Sequence, residues 1–161
     1  MHAGDICSSL SFFILRLFRT LNLGKTQDII LNTAISNHKS IVKFALSNSC
    51  SGILDQNYTF KNQKHEEIIN VQCVPLSDII EQYAKNKSID FLSIDCEGHD
   101  LTILQTADWS KLRPKIVLVE DHNITYMGPI YEFMKSIRYS YICKIGPTIF
   151  FKEDSFILKV H

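Results

Sequence analysis

The sequence lacks an excess of charge of either sign. Its 161 residues include 17 Lys and Arg and 17 Asp and Glu, which give a formal net charge of +0 at pH 7. No general electrostatic attraction to nucleic acid or to an anionic membrane is therefore encoded. Hydrophobic residues make up 45% of the chain and charged residues 21%, the composition of an ordinary globular domain. We expect one domain, residues 1–161, that binds a small molecule or a protein rather than nucleic acid.

Cysteines at the short paired spacing of a zinc site are missing as well. The chain has five cysteines, an odd number spread over its length (Cys7, Cys50, Cys73, Cys96 and Cys143). This spacing predicts no metal site. Scattered thiols of this kind are typical of reduced core residues in a cytoplasmic protein, and we expect that location.

A hydrophobic run long enough to span a membrane is also missing. The strongest apolar segment, Leu10–Leu21, is too short for a bilayer and is interrupted by Arg16 and Arg19. Its apolar residues recur at steps of three and four, which places them on one face of a helix. We therefore expect an amphipathic helix that packs on the core rather than a membrane span.

The sequence does contain alternating apolar strands and amphipathic helices, the pattern of an α/β fold. Short β-rich runs predict strands at 28–36, 41–46, 71–74, 89–94 and 115–120. Helices are predicted after Pro75, from Asp100 to Thr106 and over 130–137. Two last strands, 139–145 and 148–152, are joined so tightly through Gly146-Pro147 that they must be antiparallel. The long polar region 47–66 is predicted to be a loop.

The most informative stretch is residues 89–100. An apolar strand ends on Asp95 and Glu97, a glycine follows at Gly98, and a helix then begins. Ligands of open α/β sheets bind at the carboxyl ends of the strands, so these acids are candidate site residues. Glu120 and His122 follow the next predicted strand and are expected at the same edge. Acidic residues at such a position also satisfy the exposed amides of a helix start, and this structural interpretation of Asp95 and Glu97 stays open.

Two further residues carry expectations about structure alone. His99 stands at the predicted helix start, where we expect it to be exposed. Trp109, the single tryptophan, is expected to pack in the core rather than to stack on a ligand.

Four stretches together resemble the FkbM-type family of S-adenosylmethionine-dependent methyltransferases. They are LNTAIS (31–36), CVPLSDIIEQY (73–83), IDFLSIDCEGHDLTILQTADWSKLRPKIVLVE (89–120) and IYEFMKSIRYSYICKIGPTIFF (130–151). The Asp-x-Glu-Gly block, with its downstream Pro-Lys-Ile-Val-Leu-Val-Glu, is the most specific part of the resemblance.

The resemblance implies a Rossmann-like class I methyltransferase sheet with helices on both faces and an antiparallel strand pair at its C-terminal end. It also implies transfer of a methyl group from S-adenosylmethionine to a hydroxyl of a small-molecule acceptor, such as a sugar or a secondary metabolite. The catalytic candidates are then Asp95, Glu97, Glu120 and His122, because methyl transfer to a hydroxyl needs a base near the acceptor. The implied cofactor-binding residues are Asp5, Ser36, Asp95 and Gly98.

The sequence departs from the family pattern at its N-terminal end. The chain has only six glycines and no G-x-G cluster, so the family's glycine-rich loop after the first strand has no counterpart. Its start, GDICSS (4–9), instead resembles the end of the family's second strand. Asp5 then matches the family's acid that binds ribose hydroxyls. We therefore expect a sheet that is incomplete at the N-terminus. The strand 89–94 would then have an open edge that favours a homo-oligomer or a complementing chain.

Two functions from other classes compete with this interpretation. One is a metal-dependent nucleotide-sugar transferase, because the carboxylates of Asp95 and Glu97 have a spacing that can hold a divalent cation and a diphosphate. The other is a domain without catalysis that serves as an interaction module. A metal requirement would distinguish the first, and failure to bind S-adenosylmethionine would favour the second.

Overall fold

The computed structural model describes residue 31 and the ranges 33–46, 52–54, 67–96, 98–125 and 127–157. Three of our sequence predictions lie outside these residues: the helix over 10–21, Asp5 and Glu97.

Eight strands and three helices make up the described residues. The strands are β1 (Ala34–Ile35), β2 (Ser40–Leu46), β3 (Gly52–Ile53), β4 (Glu67–Val74), β5 (Phe91–Ile94), β6 (Ile116–Glu120), β7 (Tyr139–Ile145) and β8 (Thr148–Glu153). The helices are α1 (Leu76–Ile79), which continues as a π-helical turn over Ile80–Ala84, then α2 (Asp100–Leu104) and α3 (Pro129–Ser136). Proline precedes α1 and opens α3, where its fixed φ and missing amide hydrogen suit a helix start.

The strands form two four-stranded sheets, whereas we expected one. The first sheet has the order β1-β4-β2-β3, and the second has the order β5-β6-β8-β7. In the first sheet, β2 and β4 pair antiparallel over seven positions, so their hydrogen bonds are satisfied within that sheet. In the second sheet β5 and β6 are parallel, and β8 pairs antiparallel with both β6 and β7. The described residues are therefore mixed α/β, as the alternating pattern predicts.

The core lies on one face of the second sheet. Registered neighbours on β5, β6 and β8 form two buried rows, Leu92 with Val117 and Phe151, and Ile94 with Val119 and Ile149. All six are at most 1% exposed, and they pack with side chains from all three helices (Leu76, Ile103, Leu104 and Met134). Ser93, between the two rows on β5, is exposed. This alternation fixes the register, because a slip by one residue would turn the apolar row to the other face.

Among the described strands, β5 stands at one end of the second sheet. β5 lies at the end of the strand order and pairs with β6 but with no other described strand. No helix within the described ranges is long and apolar enough to cross a bilayer.

Trp109 packs in the core, as predicted. Its ring is 8% exposed and meets the ring of Tyr139 edge-on at a centroid distance of 5.5 Å. The indole Nε1 donates a hydrogen bond of 2.7 Å to the carbonyl of Leu104 at the end of α2. The indole therefore satisfies a helix-end carbonyl as well as filling space.

The largest differences from the predicted strands are in β3 and β4. β3 lies inside the region 47–66 that we expected to be a loop, and β4 begins at Glu67 rather than Val71. The first residues of β4 carry exposed side chains at Glu67 and Ile68, so no apolar alternation marks them in the sequence. Pairing with β2, rather than burial, makes them a strand.

Candidate functional site

The candidate site lies at the carboxyl ends of β5 and β6. The two strands are parallel with Ile94 opposite Val119, so the residues that come next, Asp95 and Glu120, stand at the same edge. Asp95 is exposed, while the Glu120 side chain is only 15% exposed. The sheet therefore places two of the acids that the sequence singled out at one edge.

His122 joins this pair of acids. Its Nε2 lies 3.3 Å from Oε2 of Glu120, and the imidazole is 44% exposed. At this distance the two side chains are in contact, with the imidazole on the solvent side and the carboxylate behind it.

The thiol of Cys96 lies among the carboxylates of this edge. Burial raises the pKa of Cys96 well above its ordinary value, and the negative charges of Asp100, Asp95 and Glu120 raise it further. The thiol is consequently protonated at neutral pH and is no nucleophile. Its environment also indicates that three carboxylates converge here.

Asp100 is a site residue that sequence reasoning missed. Its Oδ1 accepts the amide of Cys96 at 3.1 Å and its Oδ2 accepts the amide of Gly98 at 3.3 Å, and the residue is 4% exposed. Asp100, rather than Asp95, therefore satisfies amides of the turn before α2. The available signal was an acid in the first turn of a predicted helix, which we used only to place the helix start.

The turn between β5 and α2 explains the backbone conformation of Gly98 and the burial of His99. Gly98 has a φ of 98°, the left-handed conformation that favours glycine. The turn closes with a hydrogen bond from the amide of His99 to the carbonyl of Cys96 at 3.1 Å. Our expectation of an exposed His99 is wrong, because this closed turn brings the residue to 6% exposure.

A second missed residue, Asp121, organises the loop after β6. It is 6% exposed, and its Oδ1 accepts both the amide and the side-chain Nδ2 of Asn123, at 2.9 and 2.6 Å. Lys144 Nζ, from β7, donates to the carbonyls of Asp121 and Asn123 at 2.7 and 2.5 Å. No pattern in the sequence distinguishes Asp121 from its neighbours Glu120 and His122 as the residue that holds the loop.

This loop and the start of α3 enclose an open cleft of about 440 Å³. Its lining is mixed, with polar and apolar side chains (His122, Asn123, Ile124, Thr125, Met127, Gly128 and Pro129). Ile124 and Met127 are 100% and 64% exposed and form an apolar part of the wall. A small molecule held in this cleft would contact the imidazole of His122.

Ser36, a predicted cofactor-binding residue, lies next to the first sheet. Ser36 follows β1 in the first sheet, where its amide donates to the carbonyl of Val74 at 3.1 Å and its hydroxyl to Oδ1 of Asn37 at 3.4 Å. Within the described ranges, no group of three or more His, Cys, Asp or Glu side chains has the geometry of a metal site.

A comparison with models of protein families shows which family the chain belongs to. The family model of the methyltransferase FkbM domain matches residues 11–141. The chain belongs to the FkbM methyltransferase family. The matched FkbM range contains β5, β6, α2 and α3, and with them Asp95, Asp100, Glu120 and His122. No curated protein and no solved structure matches the chain.

Proposed function

We propose that this chain is an S-adenosylmethionine-dependent methyltransferase that methylates a hydroxyl of a small molecule, of the sugar or secondary-metabolite class. The observation that carries the proposal is the pairing of Glu120 with His122, 3.3 Å apart, beside Asp95 at the carboxyl ends of two parallel strands. This edge lies inside the matched FkbM range. The order β5-β6-β8-β7, with a parallel pair continued by antiparallel strands, supports a Rossmann-like sheet.

The residues at the edge fit the chemistry of S-adenosylmethionine. Bound, the cofactor would supply a methyl group activated by a positively charged sulfonium. Carboxylates suit both that charge and the cofactor's ribose hydroxyls, and Asp95 is an exposed carboxylate at this edge. We assign Asp95 and Gly98 to the cofactor side of the site, together with Asp5 and Ser36 on the strength of the family resemblance, and Glu97 stays a catalytic candidate on the same ground.

His122 and Glu120 serve the acceptor side in this proposal. The imidazole of His122 lines the cleft and accepts the proton of the acceptor hydroxyl. Glu120, whose Oε2 lies 3.3 Å from Nε2 of His122, orients the ring for this transfer. The apolar wall formed by Ile124 and Met127 suits an acceptor with an apolar portion.

Isothermal titration of the folded chain with S-adenosylmethionine and S-adenosylhomocysteine tests the proposal. We expect saturable binding that Asp95→Asn weakens, since the substitution removes the charge and keeps the shape. Glu132→Gln is the matched control, because Glu132 is an exposed acid on α3. Transfer of labelled methyl groups to a panel of hydroxyl compounds then identifies the acceptor. Absence of binding to a folded chain would contradict the proposal and favour a non-catalytic interaction module.

A further inference from the structure

The turn between β5 and α2 is held by a single buried carboxylate. Each oxygen of Asp100 accepts one backbone amide, Cys96 N at 3.1 Å and Gly98 N at 3.3 Å. These two amides lie on either side of residue 97, so one side chain fixes both ends of the turn. Hydrogen bonds to a charged carboxylate are stronger than those between neutral groups.

This turn directly follows Asp95. We propose that Asp100 is a positioning residue: by holding the amides of Cys96 and Gly98, it fixes the turn and with it the direction in which Asp95 faces the cofactor. The inference rests on the proposed function, because Asp95 has its cofactor role there. Asp100 itself contacts the backbone of the turn and is buried beneath it.

The position of Asp100 is an unfavourable one for a charge. Burial, together with the charge of Asp95, raises the pKa of Asp100 to about 6, against the opposing effect of the backbone amides. The thiol of Cys96 is protonated and adds no charge. His99, the preceding residue, is also buried, and the carboxylate of Glu120 lies within electrostatic range of Cys96.

The helix that packs on α2 adds no compensating charge. α3 turns Ile130 and Met134 inward, and its ionisable side chains Glu132 and Lys135 are exposed. The carboxyl of Asp100 therefore changes charge in mildly acidic solution. Protonation converts one of its oxygens from an acceptor into a donor, so one amide of the turn loses its partner. In a local opening the two amides leave Asp100 while its carboxyl stays buried, so the turn is held more firmly above about pH 6 than below it. Global unfolding, which exposes the carboxyl to water, has the opposite pH dependence.

Hydrogen exchange of individual amides tests the positioning role without any cofactor. In the wild-type chain we expect the amides of Cys96 and Gly98 to be protected at pH 7.5. Corrected for intrinsic exchange, their protection should fall by about tenfold at pH 5.5, the loss of one hydrogen bond to a charged group. In Asp100→Asn the same protection should be low at both pH values, because the NH2 group that replaces one carboxylate oxygen cannot accept a hydrogen bond from an amide. This pH profile of the wild-type chain decides the question even if the variant fails to fold.

Asp108→Asn is the matched control. Asp108 also accepts a backbone amide in a turn, that of Ser110 at 3.1 Å. Hydrogen bonds from Ser110 and Lys111 hold its pKa at about 2, so it stays charged across the range studied. We expect Cys96 and Gly98 to exchange in this variant as in the wild-type chain. Equal protection of the two amides in wild-type and Asp100→Asn would overturn the inference.

Titration with S-adenosylmethionine connects the turn to the pocket. We expect Asp100→Asn to bind about tenfold more weakly at pH 7.5 and to lose the pH dependence that the wild-type chain shows between pH 7.5 and 5.5. Equal affinity and an equal pH profile in both chains would overturn the link to Asp95. If neither chain binds, the proposed function fails, whereas the exchange data still decide whether Asp100 holds the turn.

Discussion

The imidazole Nε2 of His122 lies 3.3 Å from the carboxylate Oε2 of Glu120, at the end of a strand whose parallel neighbour ends on Asp95. The two residues are separated by Asp121, which is buried and turned into the loop. Three consecutive residues therefore have two different roles. Glu120 and His122 contact each other, while the carboxylate of Asp121, between them in the chain, accepts hydrogen bonds from the backbone and side chain of Asn123.

Replacing His122 with Gln tests its role as the base. We expect kcat/KM for methyl transfer to fall about a hundredfold, the usual contribution of a general base, while the affinity for S-adenosylmethionine stays the same. Steady-state transfer of labelled methyl groups to the acceptor found in the screen measures the first, and isothermal titration the second. His38→Gln is the control, since His38 is an exposed histidine that follows β1 in the first sheet. An unchanged kcat/KM in His122→Gln would exclude the imidazole as the base.

The pH dependence of stability tests the ionisation of Asp100. Its pKa in the folded chain, about 6, is above the unfolded value of 3.8, so the folded chain binds the proton more tightly between these values. The free energy of unfolding should therefore rise as the pH falls through 6, and this residue should contribute about 2 kcal/mol between pH 7.5 and 4.5. Urea unfolding at both pH values should show this difference in the wild-type chain and lack it in Asp100→Asn. The same difference in both chains would assign the effect to other groups.

Much of the edge could be predicted from the sequence, because its signals are local. The apolar runs that end on Asp95 and Glu120 define parallel strands, and parallel strands place their carboxyl ends together. Gly98 gives the positive φ of the turn in the same way, since glycine adopts it without strain. These inferences need only the order of residues along the chain.

The buried acids could not be predicted, because their roles depend on contacts that periodicity does not encode. In the sequence Asp100 looks like an ordinary acid at a helix start, and only the structure shows that it accepts the amide of Cys96. Asp121 likewise looks like its neighbours, and only the structure shows that its carbonyl accepts a hydrogen bond from Lys144 of β7. The pairing of β2 with β4 likewise brings exposed side chains at Glu67 and Ile68 into a strand. In each case a distant part of the chain determines the local structure.

Removing the ammonium of Lys144 should loosen the loop that lines the cleft. Lys144→Met keeps the length of the side chain but removes its hydrogen bonds to the carbonyls of Asp121 and Asn123. Bonds of this kind to a charged donor contribute about 1.5–3 kcal/mol each, so local opening should increase at least tenfold. Hydrogen exchange of the Asn123 amide measures it, with Lys135→Met on the exposed face of α3 as the control. Unchanged exchange at Asn123 would mean that the side chain of Asp121 holds the loop alone.

Trp109→Phe tests whether the single tryptophan stabilises the end of α2 as well as the core. The smaller ring keeps an aromatic contact with Tyr139, but it cannot donate the 2.7 Å hydrogen bond to the carbonyl of Leu104. The carbonyl of Leu104 keeps a long hydrogen bond of 3.4 Å from the amide of Ala107, so the loss is that of one buried hydrogen bond, about 0.5–1.5 kcal/mol, and the lost volume adds to this. We therefore expect urea unfolding at pH 7.5 to show a loss of about 2 kcal/mol. Phe150→Leu is the control, because Phe150 is a half-buried aromatic of β8 whose side chain has no polar group to lose. A loss in Trp109→Phe no larger than in this control would mean that the indole nitrogen contributes nothing beyond packing.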